Sequence, residues 1–167
     1  MKDLLRIILI LFLIIFLNIR SYGQTTHPEP KTLEIGSKAP DFSLAGIDGK
    51  TYTLKDFEKS SLLVIIFSCN HCPTAQAYEE RIIAVSKDYK TRGVELVMIS
   101  PNSTKALNLS ELGYSDMGDS FDEMKLRAKD KGYNFPYLYD GDDQKCALAY
   151  GPVATPHCFV FDKFYPD

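Results

Sequence analysis

An α/β sandwich with an amino-terminal hairpin and a parallel element in its sheet is the fold class this chain predicts. Three observations carry that expectation. Two continuous aliphatic runs of strand length, Leu62 to Phe67 and Val94 to Ile99, read as buried strands. An amphipathic stretch of helix length lies between them. Strand-like and helix-like segments then alternate to the end of the chain, the pattern that lays helices over a sheet.

The elements follow in order. Phe42-Ser43-Leu44-Ala45 and Thr51-Tyr52-Thr53-Leu54 alternate apolar and polar residues around a turn containing Asp48-Gly49, a hairpin signal. Leu62 to Phe67 is long enough for one strand and reads as buried on both faces. Beyond Pro73, the residues Ala75, Tyr78, Ile82, Val85 and Tyr89 step by threes and fours, so they predict one apolar helix face, with Gly93 as the stop. Val94 to Ile99 is the next strand. Ser120 and Glu123 match a capping box that opens a helix running to about Lys131, and Gly132 ends it. Phe135 to Tyr139 predicts a short strand, Asp142 to Tyr150 a short helix closed by Gly151-Pro152, and Cys158 to Asp162 a last strand.

Length and composition set the outer bounds. With 167 residues, 45% of them apolar and 25% charged, the chain predicts one domain of ordinary size. Ten glycines and nine prolines exclude collagen-like and low-complexity classes. A formal net charge of −3 offers no basic stripe, so no nucleic-acid partner is expected. Four cysteines are too few for a disulfide scaffold, and a core of this size does not need one.

The amino terminus reads as an export signal. Lys2 and Arg6 precede eleven uninterrupted apolar residues, Ile7 to Leu17, and Ser21 and Gly23 stand at the −3 and −1 positions of a cleavage before Gln24. Residues 1–23 are therefore expected to be a signal peptide, with an uncleaved anchor as the rival, although the run is short for a spanning helix. No cysteine stands at the cleavage point to accept a lipid. Of 19 basic and 22 acidic residues, Lys2, Arg6, Arg20 and Asp3 lie in this segment, leaving 16 and 21, a net charge of −5. Residues 24–32, with Pro28 and Pro30, read as an extended linker, and 33–167 as the domain. The expected location is outside the cytoplasm, in the periplasm or anchored facing it.

Chemistry is concentrated in Cys69-Asn70-His71-Cys72, directly after a buried strand and ahead of a helix with Pro73 at its start. A helix amino terminus presents unpaired N–H groups and about half a positive charge, which favours a thiolate. Such cysteines have pKa values lowered to about 3.5–7.5. The expectation is that Cys69 sits exposed at the helix tip as the nucleophile, and that Cys72, one turn further in, resolves the mixed disulfide. An imidazolium at His71 would add to thiolate stabilisation; otherwise His71 is an exposed spacer. Zinc is disfavoured, since Cys146 and Cys158 are poorly spaced as further ligands and His157 is a single extra donor. No metal or other cofactor is expected.

Ala39-Pro40-Asp41-Phe42-Ser43-Leu44, the Asp48-Gly49-Lys50 turn, Cys69 to Pro73 and Ala154-Thr155-Pro156 resemble a thioredoxin-fold redoxin. The subgroup they look like is the peroxiredoxin-like, AhpC/TSA-related proteins with Cys-Asn-His-Cys-Pro. The resemblance covers roughly residues 33–162 and implies a thioredoxin-like three-layer sandwich. It also implies a cis bond at Thr155-Pro156, facing the sulfurs and contacting substrate. A redoxin insertion is implied between about Ser100 and Tyr139.

Three departures from the family pattern matter. Ser68 stands where thioredoxins carry Trp, and Leu62 to Phe67 contains no buried acid. In peroxiredoxins a Thr precedes the reactive cysteine by three residues; here Cys69 holds that place, and Arg127 is the last arginine. After Asp162 only five residues remain, so the last strand and helix of the fold are expected to be missing from a chain truncated at its carboxy terminus. Cys146 reads as a buried inert thiol, while Cys158 is a candidate auxiliary thiol, with a Cys146–Cys158 disulfide as a side expectation.

The resulting expectation is an exported thiol–disulfide oxidoreductase acting on protein or small-molecule thiols and disulfides, served by a redox partner protein. It meets a membrane only through an uncleaved amino-terminal segment. The alternatives are a thiol peroxidase, a copper-binding thioredoxin-fold module with His157 as distal donor, and an inactive interaction domain.

Overall fold

A computed structural model of the chain describes residues 31–104 and 117–162. The segment 1–23, most of the linker and the closing residues 163–167 lie outside the described residues. The described chain runs β1 (Ser43–Gly46), β2 (Thr51–Thr53), a 3₁₀ turn (Leu54–Phe57), β3 (Leu62–Phe67), α1 (Pro73–Lys90), β4 (Val94–Ser100), α2 (Phe121–Lys131), β5 (Tyr137–Tyr139), α3 (Lys145–Tyr150) and β6 (His157–Phe161). The six strands form one sheet in the order β2-β1-β5-β4-β3-β6.

The expected hairpin is present: β1 pairs antiparallel with β2, Ser43 opposite Thr53 and Ala45 opposite Thr51. The aliphatic runs pair in parallel, Leu62 opposite Val94 and Phe67 opposite Ile99, joined by α1 as their crossover. β5 extends the parallel set beside β4, and α2 connects the two. β6 lies antiparallel to β3, with Cys158 opposite Ile66. Among the described residues β6 forms one edge of the sheet.

Strand periodicity divides the core between the two faces. Leu63, Ile65 and Phe67 point to one side with Leu54, Phe57, Val97, Ile99, Leu138 and Tyr150. Ile66 points to the other, where it meets Ile82 of α1, Leu96, Met98 and Tyr137 of the sheet, and Met124 and Ala128 of α2. The result is the three-layer arrangement the sequence leads one to expect. Full burial of β3 on both faces is not observed: Leu62 and Val64 are only half buried, and Val64 lines a groove beside α1.

The apolar face of α1 differs from its predicted stripe. Ala75 and Ile82 are buried, but Tyr78, Val85 and Tyr89 are exposed, and the buried row is Ala75, Glu79, Ile82 and Ser86. Glu79 explains the rotation. Its carboxylate accepts from Arg127 Nε (2.8 Å) and Nη2 (2.7 Å) on α2 and from Tyr133 Oη (2.8 Å). A buried carboxylate is tolerated once paired and hydrogen-bonded in this way, and the pair joins α1 to α2.

Helix ends follow local chemistry. Ser120 Oγ accepts from Glu123 N (3.3 Å) while Glu123 Oε2 accepts from Ser120 N (3.1 Å), the reciprocal cap expected there. Gly132 closes α2 in the left-handed region. The short helix α3 is held at its start by Asp140, which accepts from the amides of Cys146 (2.8 Å) and Ala147 (2.7 Å). Its end is tied to the start of the described chain: Leu33 N donates to Tyr150 O (2.9 Å), and Thr32 Oγ1 to Gly151 O (2.7 Å).

That seam makes Gly151 demanding. It has φ +62, and a Cβ there would lie 2.3 Å from the Lys31 carbonyl oxygen; Gly132 has φ +69 with nothing within 4 Å. Gly132→Ala is expected to cost about 1–2 kcal/mol from the left-handed backbone alone. Gly151→Ala should cost about 1–3 kcal/mol more through the backbone clash. Chemical denaturation of the two variants measures the difference.

Candidate active site

β3 delivers the chain to the site. Ser68 N still donates to Ile99 O (2.9 Å), continuing the ladder, and the following residues turn into α1 with Cys72 as its N-cap and Pro73 in its first turn. The two cysteines therefore stand on opposite sides of a boundary. Cys69 is 4% exposed, under the end of the sheet, whereas Cys72 is partly open to solvent at the start of the helix. All four cysteines of the chain are free thiols.

The surroundings of the pair are the reverse of those expected. Burial pushes the Cys69 thiol up to about 12, with the charge of Asp119 adding to it, against hydrogen bonds from the Thr155 hydroxyl and the Cys72 amide. For Cys72, partial burial raises the pKa, but the amide of Ala75, the Thr155 side chain and the amide and hydroxyl of Thr74 outweigh it, so the net shift is downward. The helix-tip environment that the sequence reading gave to Cys69 belongs to Cys72. The physical reason is the length of the turn: five residues, 68–72, separate β3 from α1, and unpaired amides become available only at the Cys72 end of it.

Thr155 meets both sulfurs and precedes Pro156. Their peptide bond is cis. Thr155 Oγ1 lies 3.3 Å from Cys69 Sγ, and Cys72 Sγ donates to the Thr155 carbonyl at 3.4 Å. His71 is not an exposed spacer; its side chain is 14% exposed and Nδ1 lies 2.6 Å from Asp119 Oδ2.

Asp119 is the residue that sequence reasoning missed. It is fully buried just ahead of α2, and it accepts from Asn70 N (2.7 Å), His71 N (3.3 Å), His71 Nδ1 (2.6 Å) and Asn102 Nδ2 (2.6 Å). β3 lacks an acid, but this carboxylate reaches the same turn from fifty residues downstream. Its only trace in the sequence is an acid placed directly before the Ser120 cap. Asn70, also without an assigned role in the sequence reading, is 1% exposed; it donates to Gly118 O (2.9 Å) and accepts from Tyr137 Oη (3.1 Å). Gln76 Nε2 donates to Asn70 O (2.7 Å).

Ligand atoms of Cys69, His71 and Asp119 lie within 4.8 Å of one another, close enough to consider a metal. Asp119 already accepts four N–H donors, His71 among them, so a cation would have to displace that network; the cluster is a hydrogen-bonded one. His157, the distal donor of the copper reading, is not in this cluster. Its Nδ1 accepts from Val153 N (3.0 Å) and its ring stacks on Phe159 at 4.5 Å.

The remaining cysteines separate. Cys146 is buried in the α3-side core and burial holds its thiol protonated, as expected. Cys158 is exposed on β6 and borders an apolar groove of about 520 Å³, with Val64, Ile66, Tyr78, Val85 and Pro156. The sheet lies between the two, which overturns the side expectation of a Cys146–Cys158 disulfide.

A family model described as "AhpC/TSA family" matches residues 35–164. The chain belongs to the AhpC/TSA family. Among relatives, "Thiol-disulfide oxidoreductase ResA" of Geobacillus thermodenitrificans is 25% identical over 161 residues, 95% of this chain and 80% of that protein. The ResA of Bacillus cereus is 26% identical over 162 residues, 96% and 82% of the two chains. An uncharacterized conserved protein from Geobacillus kaustophilus superimposes with a TM-score of 0.69 at 34% identity, over 79% of this chain and 65% of that one. The thioredoxin domain of a thiol-disulfide oxidoreductase from Bacteroides vulgatus gives a TM-score of 0.62 at 16% identity, over 78% and 83%. The fold of this family member is thus thioredoxin-like.

Thr155 contributes to the acidity of both sulfurs. A hydrogen bond to a charged group contributes about 1.5–3 kcal/mol. Thr155→Val should therefore lower the thiolate fraction of Cys72 at neutral pH by roughly tenfold, one decade per 1.4 kcal/mol. Iodoacetamide alkylation rates followed by mass spectrometry check this.

Proposed function

We propose that this member of the AhpC/TSA family is an exported thiol–disulfide oxidoreductase in which the Cys72 thiolate attacks and Cys69 resolves. The chain is an oxidoreductase enzyme, in keeping with relatives that carry that name over nearly its whole length. The observation that carries the assignment of roles is the contrast between the two sulfurs. One lies at a helix N-cap with its acidity enhanced, and the other lies beneath it, buried and protonated.

The exchange runs in two steps. Cys72 thiolate attacks one sulfur of a substrate disulfide; that bond breaks, one substrate thiolate leaves, and a mixed disulfide forms on Cys72. Cys69 then gives up its proton and attacks the Cys72 sulfur. A Cys69–Cys72 disulfide forms, the second substrate thiol leaves, and two electrons have passed from the cysteine pair to the substrate. The reverse sequence oxidises a substrate dithiol. Thr155 borders both sulfurs, and the apolar groove lined in part by the neighbouring Pro156 offers a surface for the chain that carries the substrate sulfur. Export rests on the residue pattern of 1–23, which leaves the domain facing the periplasm. Partners are accordingly thiols and disulfides of proteins or small molecules, with a redox protein to restore the pair.

The peroxidase reading has less support here. Arg127 is bound bidentately by Glu79 between two helices, so it is committed to the scaffold.

Single replacements separate the roles. Cys69→Ser is expected to accumulate a stable mixed disulfide on Cys72 when mixed with a disulfide substrate, and Cys72→Ser to form none at neutral pH. Mass spectrometry of the trapped peptides decides; a mixed disulfide accumulating on Cys69 in the Cys72→Ser protein would reverse the assignment.

A further inference from the structure

Thr155 reaches both sulfurs from the loop that joins α3 to β6. The residues ahead of it, Val153 and Ala154, are exposed, Val153 at 74%, so side-chain burial does not hold this stretch in place. A hydrogen bond closes it instead. Val153 N donates to Nδ1 of His157 at 3.0 Å, which joins the two ends of 153–157 around Thr155. The His157 ring is itself anchored. It stacks on Phe159 with centroids 4.5 Å apart, and Phe159 meets Phe67 and Tyr150 edge to face. An Nδ1 that accepts carries no proton, so the ring is neutral with its proton on Nε2.

We propose that His157 is a positioning residue for Thr155, its neutral ring latching the loop so that Thr155 stays against Cys69 and Cys72. The inference rests on the reading in which Cys72 is the attacking thiolate, since Thr155 helps to acidify that sulfur. The latch has a sign. A proton added at Nδ1 turns the acceptor into a donor that faces the Val153 N–H, and the closure is lost. Closure therefore holds where the ring is neutral and fails as the histidine takes up a proton in acid. A positive ring acting only through space would do the opposite, because it favours a thiolate nearby. The direction of the acid effect separates the two.

The groups that face His157 leave its ring free to act in this way. Glu34 and Lys38 border the slot beside it, as does Asp162 at the end of β6. All three are exposed, and among the described residues none is hydrogen-bonded to the ring. Cys158 follows in sequence but borders the groove beside α1. Phe67, the partner of His157 on β3, and the loop residues 152–156 carry no charge.

The experiment follows iodoacetamide labelling of Cys72 in the reduced full chain, counted by peptide mass spectrometry from about pH 7.5 down to about pH 5.5, across the histidine range. His157→Asn places Oδ1 where Nδ1 stands, an acceptor that does not titrate. His157→Phe keeps a ring to stack on Phe159 and removes the acceptor. At the upper pH, His157→Asn is expected to label at the wild-type rate and His157→Phe about fivefold more slowly, the scale of one hydrogen bond. Toward the lower pH, wild type should fall about fivefold relative to His157→Asn and approach His157→Phe. The ratio of wild type to His157→Asn cancels the titration of Cys72 itself, and the unchanged rate of His157→Asn at the upper pH guards against misfolding. A ratio that stays level or rises in acid, or His157→Phe labelling like wild type at the upper pH, would overturn the latch alone. If the fast-labelled cysteine in wild type is Cys69, the assignment of roles fails and the latch falls with it.

Discussion

Two sulfurs three residues apart stand in different electrical surroundings, and the chemistry proposed for this protein depends on that difference. At Cys72 the first amides of α1 point toward the sulfur, and a thiolate satisfies donors that the helix leaves unpaired. At Cys69 the end of the sheet excludes water, and an anion would lose its hydration with little in return. Each decade of acidity separating the two is about 1.4 kcal/mol in favour of placing the negative charge on the outer sulfur.

The scaffold preserves this difference by fixing the turn between β3 and α1. Parallel pairing of β3 with β4 brings Cys69 and Asn102 to the same end of the sheet. Asp119 then joins the backbone of Asn70 and His71, the His71 ring and the Asn102 side chain at a single buried carboxylate. The Glu79–Arg127 pair holds α2, and with it the approach to Asp119, against α1. Thr155 closes the site from the opposite side, between the two sulfurs.

Most of the fold was legible in the sequence because it is written in local signals. The aliphatic runs of β3 and β4, the Asp48-Gly49 turn, the Ser120–Glu123 cap and the Thr155-Pro156 pair each act within a few residues, and each is where the sequence places it. The errors came from contacts between distant segments. Tyr78 and Val85 fit a helical stripe, but a buried Glu79 paired with Arg127 turned the helix away from that stripe. Asp119 carries no motif, since its value depends on meeting His71 across 48 residues. The surroundings of the two cysteines were hard to read for a related reason: spacing shows that two thiols share a turn, but which of them meets the first free amides depends on where the helix begins.

The most direct test is a pH titration of both cysteine Cβ carbons by NMR, on protein labelled at cysteine and kept reduced. The account predicts that the Cys72 resonance moves below the ordinary thiol range while the Cys69 resonance stays that of a thiol well into alkali. Ionisation of Cys69 ahead of Cys72 would contradict it.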